Sequence, residues 1–395
     1  MKIIFYSPHP THDIVSEVGY STHQRETIAA MRKLGHDVVL LILGGTDKSL
    51  VENYHQIIVK KSGLKKVFMA LMPLRLINTL KDIRLLKHNR HASNLLKNLI
   101  EKEQPDLVYE RNEYMQDGGV FVCKKAGVRH LLEVNSPVVE EMRKFEGPSL
   151  LGFIARRKER NKMRNTSGIL AVSSALKEYI SEKYGVKKID VIPNCINPEL
   201  EIPTVNEIQK VRQDLFWNDA FIFGFVGSIF PYHGVNKMIE AFALLVKSNP
   251  QSRLLIVGDG ILKKEYEKLA EEKLPADTYH FAGKIAHKEV FKYIGAFDVA
   301  MMPDSNWYGS PVKILEYGWM QKAVIAPDLA PVRDLMIHEE HGVLISKGID
   351  AMKEAMQYCI THSDKTAQMG LKLKQHIEKN FTWELQVSRA IGRQN

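Results

Sequence analysis

Short runs of aliphatic and β-branched residues alternate along this chain with longer segments whose apolar positions recur every three to four residues. That alternation predicts strand–helix–strand units and a parallel sheet covered on both faces. In the first half, strands are expected at residues 3–6, 37–41, 56–59, 107–109, 130–134, 168–172 and 189–192, and a helix over 21–34 stops at Gly35. The pattern then starts afresh. Strands at 221–226, 253–257, 279–282, 299–302 and 323–326 alternate with helices that include 236–247, 262–269 and 311–320, and further helices fill 365–394. Two α/β domains follow.

Between the two series lies Pro193-Asn194-Cys195-Ile196-Asn197-Pro198, then acidic and proline-containing sequence to about Asn206. Two prolines and two asparagines in six residues suit neither a helix nor a central strand. The expected division is an amino-terminal domain over 1–200 and a carboxyl-terminal domain over 201–380. A length of 395 residues agrees, since one hydrophobic core seldom serves so long a chain.

Composition changes this picture little. Hydrophobic residues at 45% and charged residues at 26% are those of an ordinary globular protein. Cys123, Cys195 and Cys359 are far apart, which predicts buried thiols in a reducing compartment rather than disulfides or a zinc site. No run of about 18 uncharged apolar residues occurs, and the chain opens on a strand-like segment rather than a secretory signal, so a cytoplasmic protein is expected.

Charge adds one feature. The formal net charge is +9, and residues 60–103 hold eleven Lys and Arg against Asp82, Glu101 and Glu103. Among these charges stand Phe68, Leu71, Met72, Leu76, Leu80 and Ile83. A basic amphipathic helix of this kind can lie on an anionic membrane surface, each well-placed cation adding about 1 kcal/mol; a solvated helix face is the plain alternative. Aromatic residues for base stacking are sparse there, so nucleic acid is not the expected partner. The expected location is cytoplasmic, peripheral to the inner face of the membrane. A second basic cluster runs Arg156, Arg157, Lys158, Arg160, Lys162, Arg164.

Candidate chemistry sits at strand-to-helix joints, where glycines admit phosphate and helix N-termini attract it. These joints are Gly19, then Gly227-Ser228 with Gly234, then Gly309-Ser310-Pro311. Val257-Gly258-Asp259-Gly260 is not a dinucleotide fingerprint, because Lys263 replaces the last small residue. The strongest constellation is residues 308–317. Pro311 suits a first helical turn, and Lys313 and Glu316 share one helix face. A lysine there can reach a diphosphate while the carboxylate accepts ribose hydroxyls; an ordinary ion pair is the alternative. Asp298 and Asp304 have the wrong spacing for a metal pair, so no metal is expected. Glu133 is either a carboxylate nucleophile or, preferably, an end-of-strand group ordering loops or acceptor. His9, His12, His23, Arg111 and Asn112 are placed by topology near the same strand ends.

Read in order, Gly224-Phe225-Val226-Gly227-Ser228, His233-Gly234-Val235, Leu254 to Gly260, Phe281-Ala282-Gly283-Lys284 and Ser310-Pro311-Val312-Lys313 with Glu316-Tyr317 resemble the donor domain of glycosyltransferase family 4. Pro105 to Arg111, Leu132 to Pro137 and Val191 to Asn194 resemble its acceptor half. The resemblance implies a GT-B fold, two Rossmann-like domains facing each other across a cleft, with a carboxyl-terminal helix at 381–395 packing back on the first domain. It implies a UDP- or GDP-sugar donor, a glycan, lipid-linked or small-molecule acceptor, and transfer with retention. The nucleotide sugar is a substrate, so no cofactor is needed. By position, Glu316 binds ribose, the backbone at Lys284 and Ile285 the base, the amides of Gly309, Ser310 and Val312 around Pro311 the diphosphate, and Gly19 lets the first loop approach it. Glu133 and Asn135 lie where many members place a histidine.

Two departures bear on activity. Tyr308 stands where many relatives carry an acid, and Ser228 and His233 stand where many carry an arginine and a lysine. Lys313 and His233 are then expected to supply the positive charge. A degenerate homologue that only binds sugar nucleotides, or a GT-B-like epimerase, are the alternatives.

Overall fold

Phe221-Ile222-Phe223-Gly224-Phe225-Val226 shows why the second series forms a sheet buried on both faces. Ile222 and Val226 enter one apolar core with Leu255 and Val257, while Phe223 and Phe225 enter the opposite core with Leu254 and Ile256. Each such fully buried side chain contributes about 1.5–3 kcal/mol. Gly224 interrupts the run because a Cβ there would stand 2.1 Å from the Phe297 ring. The ring fills that space.

The computed structural model describes residues 1–16, 19–44 and 72–392. The first sheet comprises β1 (Lys2–Ser7), β2 (Asp37–Ile42), β3 (Leu107–Arg111), β4 (Arg129–Val134), β5 (Gly168–Ala171) and β6 (Ile189–Val191), in the order β2-β1-β3-β4-β5-β6. The second comprises β7 (Phe221–Val226), β8 (Ser252–Val257), β9 (Tyr279–Gly283), β10 (Val299–Met301), β11 (Ala323–Pro327) and β12 (Gly342–Ile345), in the order β12-β11-β10-β7-β8-β9. All these pairings are parallel. The second order is that of a dinucleotide-type doubly wound sheet. The expected strand at 56–59 and the basic residues before Met72 lie outside the described residues.

The chain divides into two units, Met1–Ile192 with Trp383–Asn395, and Pro193–Thr382. The boundary falls at Pro193 rather than after residue 200, and the physical reason is local. Asn194 is hydrogen-bonded to Ser310, and the Ile196 amide donates to the Phe381 carbonyl at 2.9 Å, so the connector is part of the second unit. In the first unit the terminal helix Trp383–Gly392 packs on the helix Gly19–Lys33. Lys33 meets Glu384 at 2.8 Å, and the His23 ring stands edge-on to Trp383 at 4.8 Å.

The second basic cluster is only partly a surface patch: Arg156, Arg157, Arg160 and Arg164 are exposed and Lys158 is half-buried. Lys162 is buried, donating to the Glu113 carbonyl at 2.7 Å; Lys158 is bonded to Asp117, and Arg164 to the Tyr184 carbonyl.

Candidate active site

In the second sheet the connections lead away from β7 in opposite directions, through β8 on one side and β10 on the other. Such a switch point leaves a crevice at the carboxyl ends of the strands. Gly227, just after β7, has φ 151°. A Cβ on it would stand 2.4 Å from Lys313 Cε, so only glycine admits the lysine. The Gly258-Asp259-Gly260 turn packs on the same loop, a Cβ at Gly258 falling 1.9 Å from the Gly227 carbonyl oxygen. These glycines serve the protein's own backbone.

Lys313 reaches this point from the helix Val312–Trp319. Pro311 caps that helix instead of starting it, having extended backbone at ψ 103°. One turn after Lys313, the buried Tyr317 hydroxyl accepts from the Val226 amide at 2.9 Å and lies 3.3 Å from the Met301 carbonyl. The tyrosine thereby clamps the helix to the ends of β7 and β10. Its position four residues after Lys313 puts both on one face, a spacing visible in the sequence.

Lys313 Nζ lies 3.1 Å from His233 Nε2 and over the Phe225 ring, while His233 Nδ1 is bonded to the Ser228 carbonyl. The carbonyl can only accept, so Nδ1 carries the proton and Nε2 accepts from the lysine. Burial and the neighbouring ammonium lower His233 to about 4. It is therefore a neutral group that aims Lys313, not the second cation expected from sequence. Burial also lowers Lys313, to about 8, with the Glu316 charge acting in the opposite direction. Glu316 is half-buried on the same helix.

One expected diphosphate contact is already engaged. The Gly309 amide donates to Asn306 Oδ1 at 2.5 Å. Ser310 is held by Asn194, whose amide donates to its Oγ at 3.0 Å and whose side chain donates to its carbonyl at 2.7 Å. Neither of these bonds involves the Ser310 amide, the group expected at the diphosphate. Lys284 is exposed and Ile285 half-buried just past β9. Asp298 is bonded to Arg212 at 2.8 Å and Asp304 to Lys237 at 3.1 Å, so both acids hold structure.

In the first unit, Glu133 is 3% exposed near the end of β4. It accepts from Tyr109 at 2.7 Å, from His23 at 2.9 Å and from Asn135, and Arg111 lies 3.6 Å away. Burial alone would raise its carboxyl, but His23, Arg111 and Asn135 hold it far below the usual range. An enclosed carboxylate with both oxygens engaged orders its neighbours; the nucleophile reading does not fit. Gly19 opens its helix, and a Cβ there would meet nothing within 4 Å. His12 Nδ1 donates to the Glu113 carboxylate at 2.9 Å, and His9 stacks on His12 at 3.7 Å. Arg111 bridges Glu113 and Glu133, each at 3.6 Å. The Asn112 side chain is buried, and neither of its amide atoms has a hydrogen-bond partner among the described residues.

The second unit matches the model of the glycosyl transferases group 1 over residues 207–376, and the first matches that of Glycosyltransferase Family 4 over residues 19–200. The chain belongs to the GT-B glycosyltransferases. HepE from Anabaena in complex with UDP has the same fold, with a TM-score of 0.73 and 18% identity over 100% of both chains. Sucrose-phosphate synthase from Thermosynechococcus elongatus gives a TM-score of 0.72 at 18% identity, covering 98% of this GT-B chain and 96% of that one. An uncharacterized glycosyltransferase of Methanocaldococcus jannaschii is 24% identical over 222 residues, 55% of this chain and 56% of its own. The 2-deoxystreptamine glucosyltransferase of Streptomyces kanamyceticus is 26% identical over 149 residues, 37% of this chain and 38% of its own. The chain thus spans about half or less of the length of these curated relatives.

Proposed function

We propose that this GT-B protein transfers a sugar from a UDP- or GDP-sugar to a hydroxyl of a glycan, lipid-linked or small-molecule acceptor, with retention and without a metal. The observation that carries this reading is the Lys313 ammonium, aimed by His233 and seated over Gly227 at the switch point of the second sheet. Sugar transfer asks chiefly for stabilisation of a departing diphosphate, and a preset cation in a partly dry crevice does that without a nucleophile. Support comes from the relatives: HepE is known in complex with UDP and with UDP-glucose, and WaaG, a glycosyltransferase involved in lipopolysaccharide biosynthesis, shares the fold with a TM-score of 0.65 at 15% identity.

In this reading Glu316 receives the ribose hydroxyls from the face it shares with Lys313. Glu316→Gln is expected to weaken UDP or GDP binding by about 1–3 kcal/mol, because charge-assisted hydrogen bonds become neutral ones. Isothermal titration checks this; unchanged affinity in the folded variant would remove Glu316 from the donor site.

Membrane association is the second part of the proposal. Leu74, Leu76, Leu80 and Ile83 are all exposed on the helix Leu74–Glu103, amid Arg75, Lys81, Arg84 and Lys87. No described helix is long and apolar enough to cross a bilayer, so contact would be at the surface. The protein is expected to sediment with vesicles containing anionic lipid and less with neutral ones. Salt should weaken binding, since the attraction reaches only about 8 Å at physiological ionic strength. Equal partition to both kinds of vesicle would reduce the helix to a solvated face.

A further inference from the structure

The first sheet has a switch point of its own, between β1 and β3, and beside the residues that follow these strands lies a cavity of about 1130 Å³. His9 and Pro10 close it from the β1 side, Tyr114 from the β3 side, and the helix Leu74–Glu103 and residues 139–156 form its walls. Three features of the wall specify a ligand.

Two buried acceptor atoms face no donor among the described residues. Asn78 is 4% exposed, and its Nδ2 is fixed by the Glu146 and Pro148 carbonyls at 2.6 and 3.4 Å, which leaves Oδ1 without a partner. His88 is 8% exposed; its Nε2 donates to the Pro8 carbonyl at 2.7 Å, which leaves Nδ1 as a bare acceptor. Unmet buried acceptors are costly, and hydroxyl groups would satisfy them.

The charge of the wall is one-sided. Arg84, Lys87, Arg143 and Arg156 line the cavity and form no ion pair among the described residues. Its two acids are engaged, Glu146 with Lys81 at 2.5 Å and Asp82 with the Tyr114 hydroxyl at 3.3 Å. Three guanidinium groups suit phosphate oxygens, which they can bind through paired hydrogen bonds. The remaining wall is apolar, from Leu85, Val139, Met142 and Pro148.

We propose that this cavity binds the acceptor, and that the acceptor is an anionic amphiphile: a hydroxylated headgroup carrying a phosphate next to an apolar segment. This rests on the reading of the chain as a sugar transferase. Hydroxyls meet Asn78 and His88, the phosphate meets the arginines, and the apolar part lies along Leu85 and Met142.

The test uses the full chain and monomeric probes, so that adsorption to a bilayer does not intervene. Dihexanoyl phosphatidylglycerol, its neutral counterpart dihexanoylglycerol, and glycerol phosphate are titrated calorimetrically. The phospholipid is expected to bind about tenfold tighter than either of the others, and the double variant Arg143→Gln, Arg156→Gln to lose about tenfold of that affinity. Asn78→Leu, which removes the acceptor and keeps the volume, is expected to weaken the phospholipid and glycerol phosphate but not dihexanoylglycerol bound through its acyl chains. Equal binding of glycerol phosphate and phospholipid would make the ligand a soluble phosphate and overturn the amphiphile. Binding indifferent to the arginines, or no binding of any probe, would overturn the site. UDP and GDP are titrated into the same variants. Their affinity is expected to be unchanged, and a wild-type chain that binds neither would count against the transferase reading instead.

Discussion

Lys313→Ala is expected to lower turnover of the sugar nucleotide by about a hundred- to a thousandfold, the usual loss when a preorganised charge-stabilising group is removed. The effect on donor affinity should be smaller, because the negative charge on the bridging oxygen grows as the bond to the sugar breaks. Equal losses in both would mark a ground-state contact. Lys313→Met separates function from structure. The lysine is half-buried against the Phe225 ring, and an apolar chain of similar length avoids the cost of burying an ammonium. This variant should be as stable as the parent or more so in thermal unfolding, yet as inactive as the alanine. A matching loss of stability would make Lys313 a structural residue.

The same lysine sets a pH dependence. Burial lowers it to about 8, so in the free protein the cation is present below that pH and is lost above it. A bound diphosphate favours the protonated form. UDP or GDP affinity is therefore expected to fall as pH rises through about 8, and this fall should vanish in Lys313→Met. His233, lowered to about 4, stays neutral across the range and adds no step.

Glu133→Ala is the second large effect, and it concerns folding. The carboxylate gathers Tyr109 of β3, His23 of the helix Gly19–Lys33, and Asn135, with Arg111 close by. Removing it strands buried donors and a buried guanidinium, which costs about 3–5 kcal/mol. Urea unfolding checks the loss. Its pH dependence follows from the depressed folded-state value: the stabilisation is present above the unfolded value of about 4.3 and disappears as pH falls through and below it. The parent should thus lose stability on acidification more steeply than Glu133→Ala. If turnover collapsed in Glu133→Gln while stability was kept, the carboxylate would belong to the chemistry.

What the sequence disclosed and what it hid divide by the distance between partners. The β7 run, the restart of the pattern and the shared face of Lys313 and Glu316 are local, and periodicity reveals them. The tie between Asn194 and Ser310 joins residues 116 apart and has no local signature. It moved the domain boundary to Pro193. Asn306 was closer to view, since an asparagine three residues before a glycine often folds its side chain onto the turn amides. That bond takes the Gly309 amide. The role of His233 turns on which ring nitrogen meets Ser228, and only the folded loop decides it. β12 was missed because Gly342–Ile345 is four residues long and begins on a glycine.

The central claim is that the chain breaks the sugar–diphosphate bond of a nucleotide sugar with its own cation. The most direct test is release of UDP or GDP from UDP- and GDP-hexoses in the presence of a chelator, followed with the hexose mass on the acceptor by mass spectrometry. The account predicts release from one of the two donor classes, undiminished by the chelator and lost in Lys313→Met. Binding without release would leave a sugar-nucleotide binding protein, and release that stops on chelation would place the charge on a metal; either result would contradict it.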